Sequence, residues 1–322
     1  MSDLYPPLEP YAHGMLEVGE GNSVYWETCG NPQGKPAVVL HGGPGSGCTP
    51  WHRRLFDPCA YRMVLFDQRN CGRTTPHASA PDTDLASNTT AHLIADLERL
   101  REHLEIDRWM VLGGSWGSTL TLAYAEQFPH RVSEIVLFGV TTGRRKEFDW
   151  WFRGGAAILL PEQWERLRRA LPVSEGNGDL IEAYWQRLNH RDPEVRTQAA
   201  TAWCTWESST LAWPPDHELS PRYRDPAFAL AFARIVIHYV RHNAWLEDGA
   251  LLRCIDVISE IPAIMVNGRF DLQAPIGWAW ELNRRWPKAR LVIIDDAGHD
   301  ASHTSITREL IRATDQFARK ST

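Results

Sequence analysis

The order of apolar segments along the chain is the feature that most restricts its fold. Short, mainly apolar runs alternate with segments of helical periodicity in the first half of the chain and again near its end. The runs are residues 37–40, 62–66, 109–112, 134–138, 263–266 and 291–294. Strands that are apolar on both faces are typical of a parallel sheet covered by helices on each side. The pattern therefore predicts an α/β fold with a mostly parallel central sheet.

The pattern changes between residues 144 and 248. Helical segments rich in Trp and Arg are punctuated by prolines there, and no convincing strand pattern is present. A helical block inserted into one sheet domain is the simplest arrangement. We therefore predict a core domain formed by residues 1–143 and 249–322, with residues 144–248 as an all-helical cap over the strand ends. Ligands of such sheets bind beyond the carboxyl ends of the strands.

A candidate nucleophile lies at one of these strand ends. Ser115 stands in the pattern Gly-x-Ser-x-Gly, which begins at Gly113 and ends at Gly117. The pattern alone is weak, because glycine is common enough to produce it by chance. Here an apolar run precedes it and a helical pattern follows it, which is the context of a nucleophile elbow. The rival interpretation is a structural glycine-rich turn, and the context favours the elbow and hence the α/β-hydrolase fold.

Two further residues complete a candidate triad. In this fold the acid and then the histidine follow the nucleophile, each after a later strand. Asp271 follows the run at 263–266, and His299 follows the run at 291–294. His299 would take the proton of Ser115, and Asp271 would hold the imidazole tautomer. His303 competes with His299, and Asp295 and Asp296 compete with Asp271, but each lies in a less suitable place.

Acyl transfer also needs hydrogen-bond donors for an oxyanion. They are usually the N–H of the residue after the nucleophile and an N–H from a loop after an earlier strand. These would be Trp116 and Gly43, the latter within the glycine-rich segment 41–45. We expect His41 to be structural rather than catalytic. A dinucleotide-binding loop is the rival interpretation of these glycines, but the G-x-G-x-x-G spacing is missing.

Composition excludes several other classes of protein. The net charge is −6 and no stripe of Lys and Arg is present, which argues against nucleic-acid binding. The six cysteines are scattered, without the spacing of a disulfide framework or a zinc site. The N-terminal residues lack the pattern of a signal peptide, and no stretch is apolar enough to span a membrane. We expect a cytoplasmic enzyme that needs neither a metal nor another cofactor.

Several motifs together resemble the proline iminopeptidases, a family that releases N-terminal proline from peptides. The resemblance runs from about residue 5 to residue 318 and is strongest in the predicted core domain. Its motifs are the segments 41–45, 67–73, 88–90, 113–118, 268–271 and 297–299. Their occurrence in this order is highly specific. The resemblance implies an α/β-hydrolase fold, a serine nucleophile and peptide substrates.

In that family, glutamates of the cap bind the substrate's free amino group. One of them stands in a Trp-Glu motif, which Trp206 and Glu207 match, so the resemblance implies that Glu207 contacts the substrate. Other positions depart from the family pattern. Val236 stands in place of a second glutamate, Val240 and Thr141 in place of aromatic residues, Ala274 in place of a cysteine and Asn70 in place of a glycine. The resemblance therefore implies catalysis more firmly than proline specificity.

The sequence thus predicts a serine hydrolase that cleaves an N-terminal residue, with proline favoured, from small peptides or aminoacyl amides through an acyl-enzyme. The first alternative is an esterase or amidase with a specialised small-molecule substrate. A lyase using the same residues, or a non-catalytic binding protein on this fold, is a weaker alternative. An aspartate-nucleophile dehalogenase or epoxide hydrolase is excluded because Ser115 occupies the elbow.

Overall fold

A single eight-stranded sheet organises the computed structural model, which describes residues 4–172, 178–215 and 219–318. The strands lie in the order β1-β2-β4-β3-β5-β6-β7-β8. β1 pairs antiparallel with β2, and β2 with β4, whereas all the other neighbouring strands are parallel. The strands are β1 (Ala12–Gly19), β2 (Asn22–Gly30), β3 (Lys35–Leu40), β4 (Tyr61–Phe66), β5 (Trp109–Gly114), β6 (Val132–Phe138), β7 (Ala263–Gly268) and β8 (Ala289–Ile294). The predicted α/β class with a mostly parallel sheet is confirmed.

Helices connect the strands and fill the long interval between β6 and β7. They are α1 (Pro50–Arg53), α2 (Thr90–His103), α3 (Trp116–Gln127), α4 (Arg145–Phe152), α5 (Pro161–Arg169), α6 (Leu180–Leu188), α7 (Pro193–Ser209), α8 (Pro226–Arg241), α9 (Ala250–Arg253), α10 (Ile276–Asn283) and α11 (Thr304–Ala318). Among the described residues, no helix combines the length and the apolarity needed to cross a bilayer.

The two faces of the sheet bury separate apolar clusters because successive side chains of a strand point to opposite sides. In β5, Val111 belongs to the cluster under α2 and α3, whereas Met110 and Leu112 belong to the cluster under α11. This double burial explains why the parallel strands read as continuous apolar runs rather than as alternating patterns. It also leaves the strand ends as the place where polar side chains can meet.

The helices α4–α8 bury an apolar cluster of their own. Phe152 and Trp203, two of its members, stack with ring centroids 5.5 Å apart. The two longest of these helices begin in the same way: Asp192 before α7 and Asp225 before α8 each accept a backbone N–H bond, and a proline follows each of them. Such aspartate caps and first-turn prolines fix helix starts. The division of the chain into core and cap at residues 143 and 248 stays a prediction.

Hydrogen bonds attach this helical segment to the loops that follow β7 and β8. The indole N–H of Trp150 donates to the carbonyl of Leu272 at 2.8 Å. The backbone N–H groups of His299 and Asp300 both donate to the carbonyl of Leu211, at 2.7 and 3.0 Å. The helical segment therefore lies over the carboxyl ends of the strands, against the loops that carry Asp271 and His299.

Candidate active site

Ser115 occupies a strained turn between β5 and α3. Its backbone has φ 55° and ψ −123°, a combination that non-glycine residues rarely adopt. The flanking glycines are required by contact: a Cβ at Gly113 would collide with the Thr121 hydroxyl, and one at Gly117 with the carbonyl oxygen of Leu40. The turn therefore presents the Ser115 hydroxyl beyond the carboxyl end of the sheet.

Asp271 and His299 meet in the loops after β7 and β8. His299 Nδ1 lies 2.8 Å from Asp271 Oδ2 and 2.9 Å from Oδ1, and both residues are buried. Asp271 Oδ1 also accepts the backbone N–H of Ala274 at 2.6 Å. The carboxylate thus fixes the orientation of the imidazole and leaves its Nε2 as the nitrogen that can accept a proton.

The competing acid and histidine lie elsewhere. Asp295 forms an ion pair with Arg269 at 2.5 Å, and its side chain is largely exposed. His303 directly precedes α11, where its backbone carbonyl accepts the N–H of Thr307, and it lies outside the lining of the cavity around Ser115. The geometry therefore favours Asp271 and His299 over these competitors.

Ser115 and His299 line one open cavity of 480 Å³ between the sheet edge and the helical segment. No hydrogen bond joins the Ser115 hydroxyl to the imidazole within the part of the chain that the structure describes. Such bonds are often long without substrate and shorten in the reactive complex. The arrangement places a nucleophile and a base at the wall of the same cavity.

Gly43 and Trp116 carry the two candidate oxyanion donors. Gly43 lies in the loop after β3, and the N–H of Trp116 is the first of α3, where helical bonds leave N–H groups free. Neither N–H donates to another protein atom within the described residues. Both residues line the space around Ser115.

Gln68 connects the two segments that carry these donors. Its Nε2 donates to the His41 carbonyl at 2.9 Å, and its Oε1 accepts the Trp116 indole N–H at 3.0 Å. Its backbone N–H donates to His41 Nε2 at 3.0 Å. His41 is thus engaged in holding the glycine-rich loop, which agrees with the expected structural role. Sequence reasoning gave Gln68 no role, because its contacts are distant in the chain.

Glu207 lines the same cavity as Ser115, although it is almost completely buried. Trp203, one turn earlier in α7, donates its indole N–H to Glu207 Oε1 at 3.1 Å. Burial raises the pKa of the Glu207 carboxyl well above its usual range, while the bond from Trp203 and the charge of Arg222 partly oppose the rise. Within the described residues Glu207 forms no ion pair, so a cationic ligand would meet a partly desolvated acid.

A second, apolar cavity of 50 Å³ adjoins Ser115. Aromatic side chains dominate its wall: Trp116, Phe148, Trp151, Phe152, Tyr239 and Trp278. Thr141 and Val240, which replace aromatic residues of the family pattern, line it as well. Val236 and Ala274 are fully buried and line neither cavity. Since about 10–15 Å³ holds one water molecule, the second cavity admits a small ring rather than a long side chain.

Gly139 packs directly against the imidazole of His299. A Cβ at this position would lie 2.6 Å from Cε1 and 3.0 Å from Nδ1, and its φ of +52° is unfavourable for other residues. We expect Gly139→Ala to displace the ring and lower kcat about tenfold to a hundredfold, because misplacement of a catalytic group is costly. Steady-state kinetics with circular dichroism of the folded variant measures the effect.

Gly277→Ala is the matched control for this change. Gly277 lies in α10, and a Cβ there meets no atom within 4 Å. Unchanged kinetics are expected for the control. A Gly139→Ala variant with wild-type kcat would mean that the position of His299 does not limit turnover.

Fold, elbow and cavity together define the class of protein: an α/β-hydrolase with a serine, a histidine and an aspartate at the strand ends. A family model described as the alpha/beta hydrolase fold matches residues 35–305. A probable proline iminopeptidase of Streptomyces coelicolor is 52% identical over 99% of both chains. The proline iminopeptidase of Arabidopsis thaliana is 46% identical over 98% of this chain and 82% of its own. This chain belongs to the proline iminopeptidase family.

Solved structures agree with this fold. The crystal structure of a proline iminopeptidase from Mycobacterium smegmatis matches with a TM-score of 0.62, covering 96% of this chain and 98% of the other. VinJ matches with a TM-score of 0.64 over 98% of this chain and 100% of its own. At 19% and 18% sequence identity, these likenesses show the fold alone. The resemblance identified from the motifs is confirmed by the sequence relatives.

Proposed function

We propose that this enzyme is a serine aminopeptidase that releases an N-terminal residue, with proline favoured, from small peptides or aminoacyl amides. The observation that carries the proposal is Glu207, a buried carboxylate that forms no direct ion pair with a described residue, in the cavity that Ser115 lines. A carboxylate in this position suits a substrate ammonium. The names of the relatives support the same substrate class.

The reaction would proceed in two acyl-transfer steps. His299 Nε2 takes the proton of Ser115 as the hydroxyl oxygen attacks the carbonyl carbon of the first residue. The N–H groups of Gly43 and Trp116 stabilise the oxyanion, and His299 then protonates the leaving amine. Water, deprotonated by His299, attacks the acyl-enzyme, and His299 returns this proton to the Ser115 oxygen as its bond to the acyl group breaks. Asp271 holds the imidazole throughout and stabilises its charged form.

The two cavities would divide the substrate between them. The side chain of the first residue enters the apolar 50 Å³ cavity, and the rest of the peptide occupies the open 480 Å³ cavity. Proline fits this division because its ring methylenes are compact and apolar, while its ring ammonium would face Glu207 at the wall of the larger cavity. Free amine, small first residue and amide bond are therefore the three features we expect in a good substrate.

Replacing Glu207 by glutamine tests the role of its charge. We expect Glu207→Gln to lower kcat/KM for aminoacyl substrates by a factor that corresponds to roughly 2–4 kcal/mol, because the charge of the substrate is left poorly paired. The kcat/KM for acyl esters without an amine should fall far less. The measurement is kcat/KM for both substrate types. Glu194→Gln, on the exposed first turn of the same helix, is the matched control. Equal losses for both substrate types would show that Glu207 is structural.

The pH dependence gives a second test of Glu207. Because its pKa is raised, the carboxyl is neutral at low pH and binds an ammonium only when ionised. We therefore expect kcat/KM for aminoacyl substrates to rise with pH through a transition above the usual range of a glutamate. Glu207→Gln should remove this transition. A transition that persists unchanged in the variant would belong to another group.

The alternative function is an esterase or amidase for a specialised small molecule. Thr141 and Val240 favour it, since they replace two aromatic walls of the cavity beside Ser115. A screen of aminoacyl-naphthylamides beside acyl esters separates the two functions. The proposal requires the fastest turnover on a naphthylamide with a free α-amine, and faster turnover of amine-free esters would favour the alternative.

We also propose a cytoplasmic location. All six cysteines are free thiols in the structure, although three of them, Cys29, Cys71 and Cys204, are buried in the folded chain. Free thiols are usual in reducing compartments. Fractionation of cells that express the protein at its natural level measures the location.

A further inference from the structure

We propose that the side-chain carbonyl oxygen of Gln273 is the second acceptor for the substrate's N-terminal ammonium, beside the carboxylate of Glu207. This inference rests on the proposed aminopeptidase function. It assigns a specificity-determining role to a residue that the sequence motifs leave without one. Its position, its fixed orientation and the number of free acceptors at the site support it.

Gln273 lies between the two cavities. It follows Asp271 by two residues, in the loop after β7, and the residue is only 4% exposed. Among the residues that line both cavities are Gln273 and Ser115. A group in this position is next to the first residue of a substrate whose carbonyl carbon lies at Ser115.

The orientation of the Gln273 amide follows from its partners. Its Nε2 lies 3.1 Å from the backbone carbonyl oxygen of Glu207, which can only accept a hydrogen bond. Nε2 also lies 2.8 Å from the hydroxyl oxygen of Thr210, which donates its own hydrogen to the carbonyl of Glu207 at 2.9 Å. Both contacts therefore require the nitrogen, and the oxygen Oε1 must point the other way.

The oxygen that remains is open to a ligand. Within the described residues Oε1 accepts no hydrogen bond, and it is not among the buried polar atoms that are sealed from solvent. Because the residue is otherwise buried and lines both cavities, Oε1 faces the space where a substrate would lie. A buried carbonyl that lacks a donor gains a partner when an ammonium binds.

Gln273 Oε1 and Glu207 Oε2 each lack a hydrogen-bond donor among the described residues, whereas Glu207 Oε1 already accepts the Trp203 indole N–H. A secondary ammonium, such as that of N-terminal proline, has two N–H bonds to match them, whereas a primary ammonium has three. One carboxylate and one neutral amide also avoid burying two like charges together.

The experiment compares a prolyl substrate with its isostere that lacks the amine. L-prolyl-2-naphthylamide and cyclopentanecarbonyl-2-naphthylamide differ only in the ring nitrogen. We expect Gln273→Met to lower the ratio of their kcat/KM values roughly tenfold to a hundredfold, the effect of losing a hydrogen bond to a charged group. Thr210→Val removes the hydroxyl beside Gln273 Nε2 but keeps Gln273 Oε1. The ratio of the two kcat/KM values in this variant should therefore stay within about threefold of wild type.

A second variant keeps the test decisive if Gln273→Met is poorly folded. Gln273→Leu likewise lacks Oε1 and adds no charge beside Glu207, so it should lower the ratio by the same roughly tenfold to a hundredfold. Equal losses on both substrates in Gln273→Met, matching those of Thr210→Val, would overturn the inference and leave Gln273 as a structural tie. A wild-type enzyme that does not distinguish the two substrates, together with an inert Glu207→Gln, would instead overturn the proposed function itself.

Discussion

Ser115→Ala is expected to lower kcat about a million-fold, which is the scale of losing the nucleophile of a triad. Ser115 is the residue at the elbow that carries a nucleophilic side chain. Within the described residues its hydroxyl forms no hydrogen bond, so the substitution removes the nucleophile without breaking a native contact. Alanine keeps the Cβ and the strained backbone of the turn. The kinetic loss should therefore appear without a loss of folding.

The measurement combines kcat on the best naphthylamide with a thermal unfolding curve. An unfolding midpoint close to that of wild type is expected, because alanine removes no hydrogen bond of the native state. Active enzyme carried over from a wild-type preparation must be excluded by using a separate expression and purification. Turnover by Ser115→Ala within tenfold of wild type would contradict the assignment of the nucleophile.

Asp271→Asn is expected to lower kcat about ten-thousand-fold. The bond between Asp271 and His299 Nδ1 requires an acceptor on residue 271, whereas an asparagine can present its NH₂ group and hold the imidazole in the wrong tautomer. The backbone N–H of Ala274 still finds an oxygen on asparagine, so the loop after β7 should remain folded.

Asp295→Asn and Asp296→Asn are the matched controls for this change. Both residues are exposed, at the end of β8, and Asp295 is occupied by its ion pair with Arg269. Each control should change kcat less than about threefold. A greater loss in either control than in Asp271→Asn would move the role of the acid to that residue.

The sequence predicted the parallel part of the fold well. Each apolar run from residue 37 onward became a strand of the sheet, because double burial leaves a strong local pattern. The antiparallel hairpin of β1 and β2 was missed. β1 alternates between exposed and partly or fully buried residues, and β2 contains Glu27, a charge that sequence reasoning does not expect in a buried strand.

Glu27 shows why such features escape sequence reasoning. It is buried because Arg53 and Arg73 both approach it, with N–O distances of 2.7 and 2.9 Å. Those partners lie 26 and 46 residues further along the chain. The sequence around residue 27 does not indicate these partners, and only the folded structure brings the three charged residues together.

The residues of the candidate site also differ in how well the sequence predicts their positions. Ser115, Asp271 and His299 are set by the order of strands, so their meeting at one edge of the sheet could be predicted. The roles of Gln68 and Gln273 depend on contacts across loops and on which atom of each amide is engaged. Sequence reasoning gave Gln273 no role, although a polar residue two positions after Asp271 in an otherwise apolar stretch is a signal that could have drawn attention to it.

The most direct test of the central claim is active-site labelling with a fluorophosphonate, followed by intact mass and peptide mapping. An enzyme with an activated serine forms one covalent adduct per chain, and the account places it on Ser115. Ser115→Ala should remove the adduct, and Asp271→Asn should slow its formation. The absence of an adduct on the wild-type protein, or an adduct on a different serine, would contradict the account.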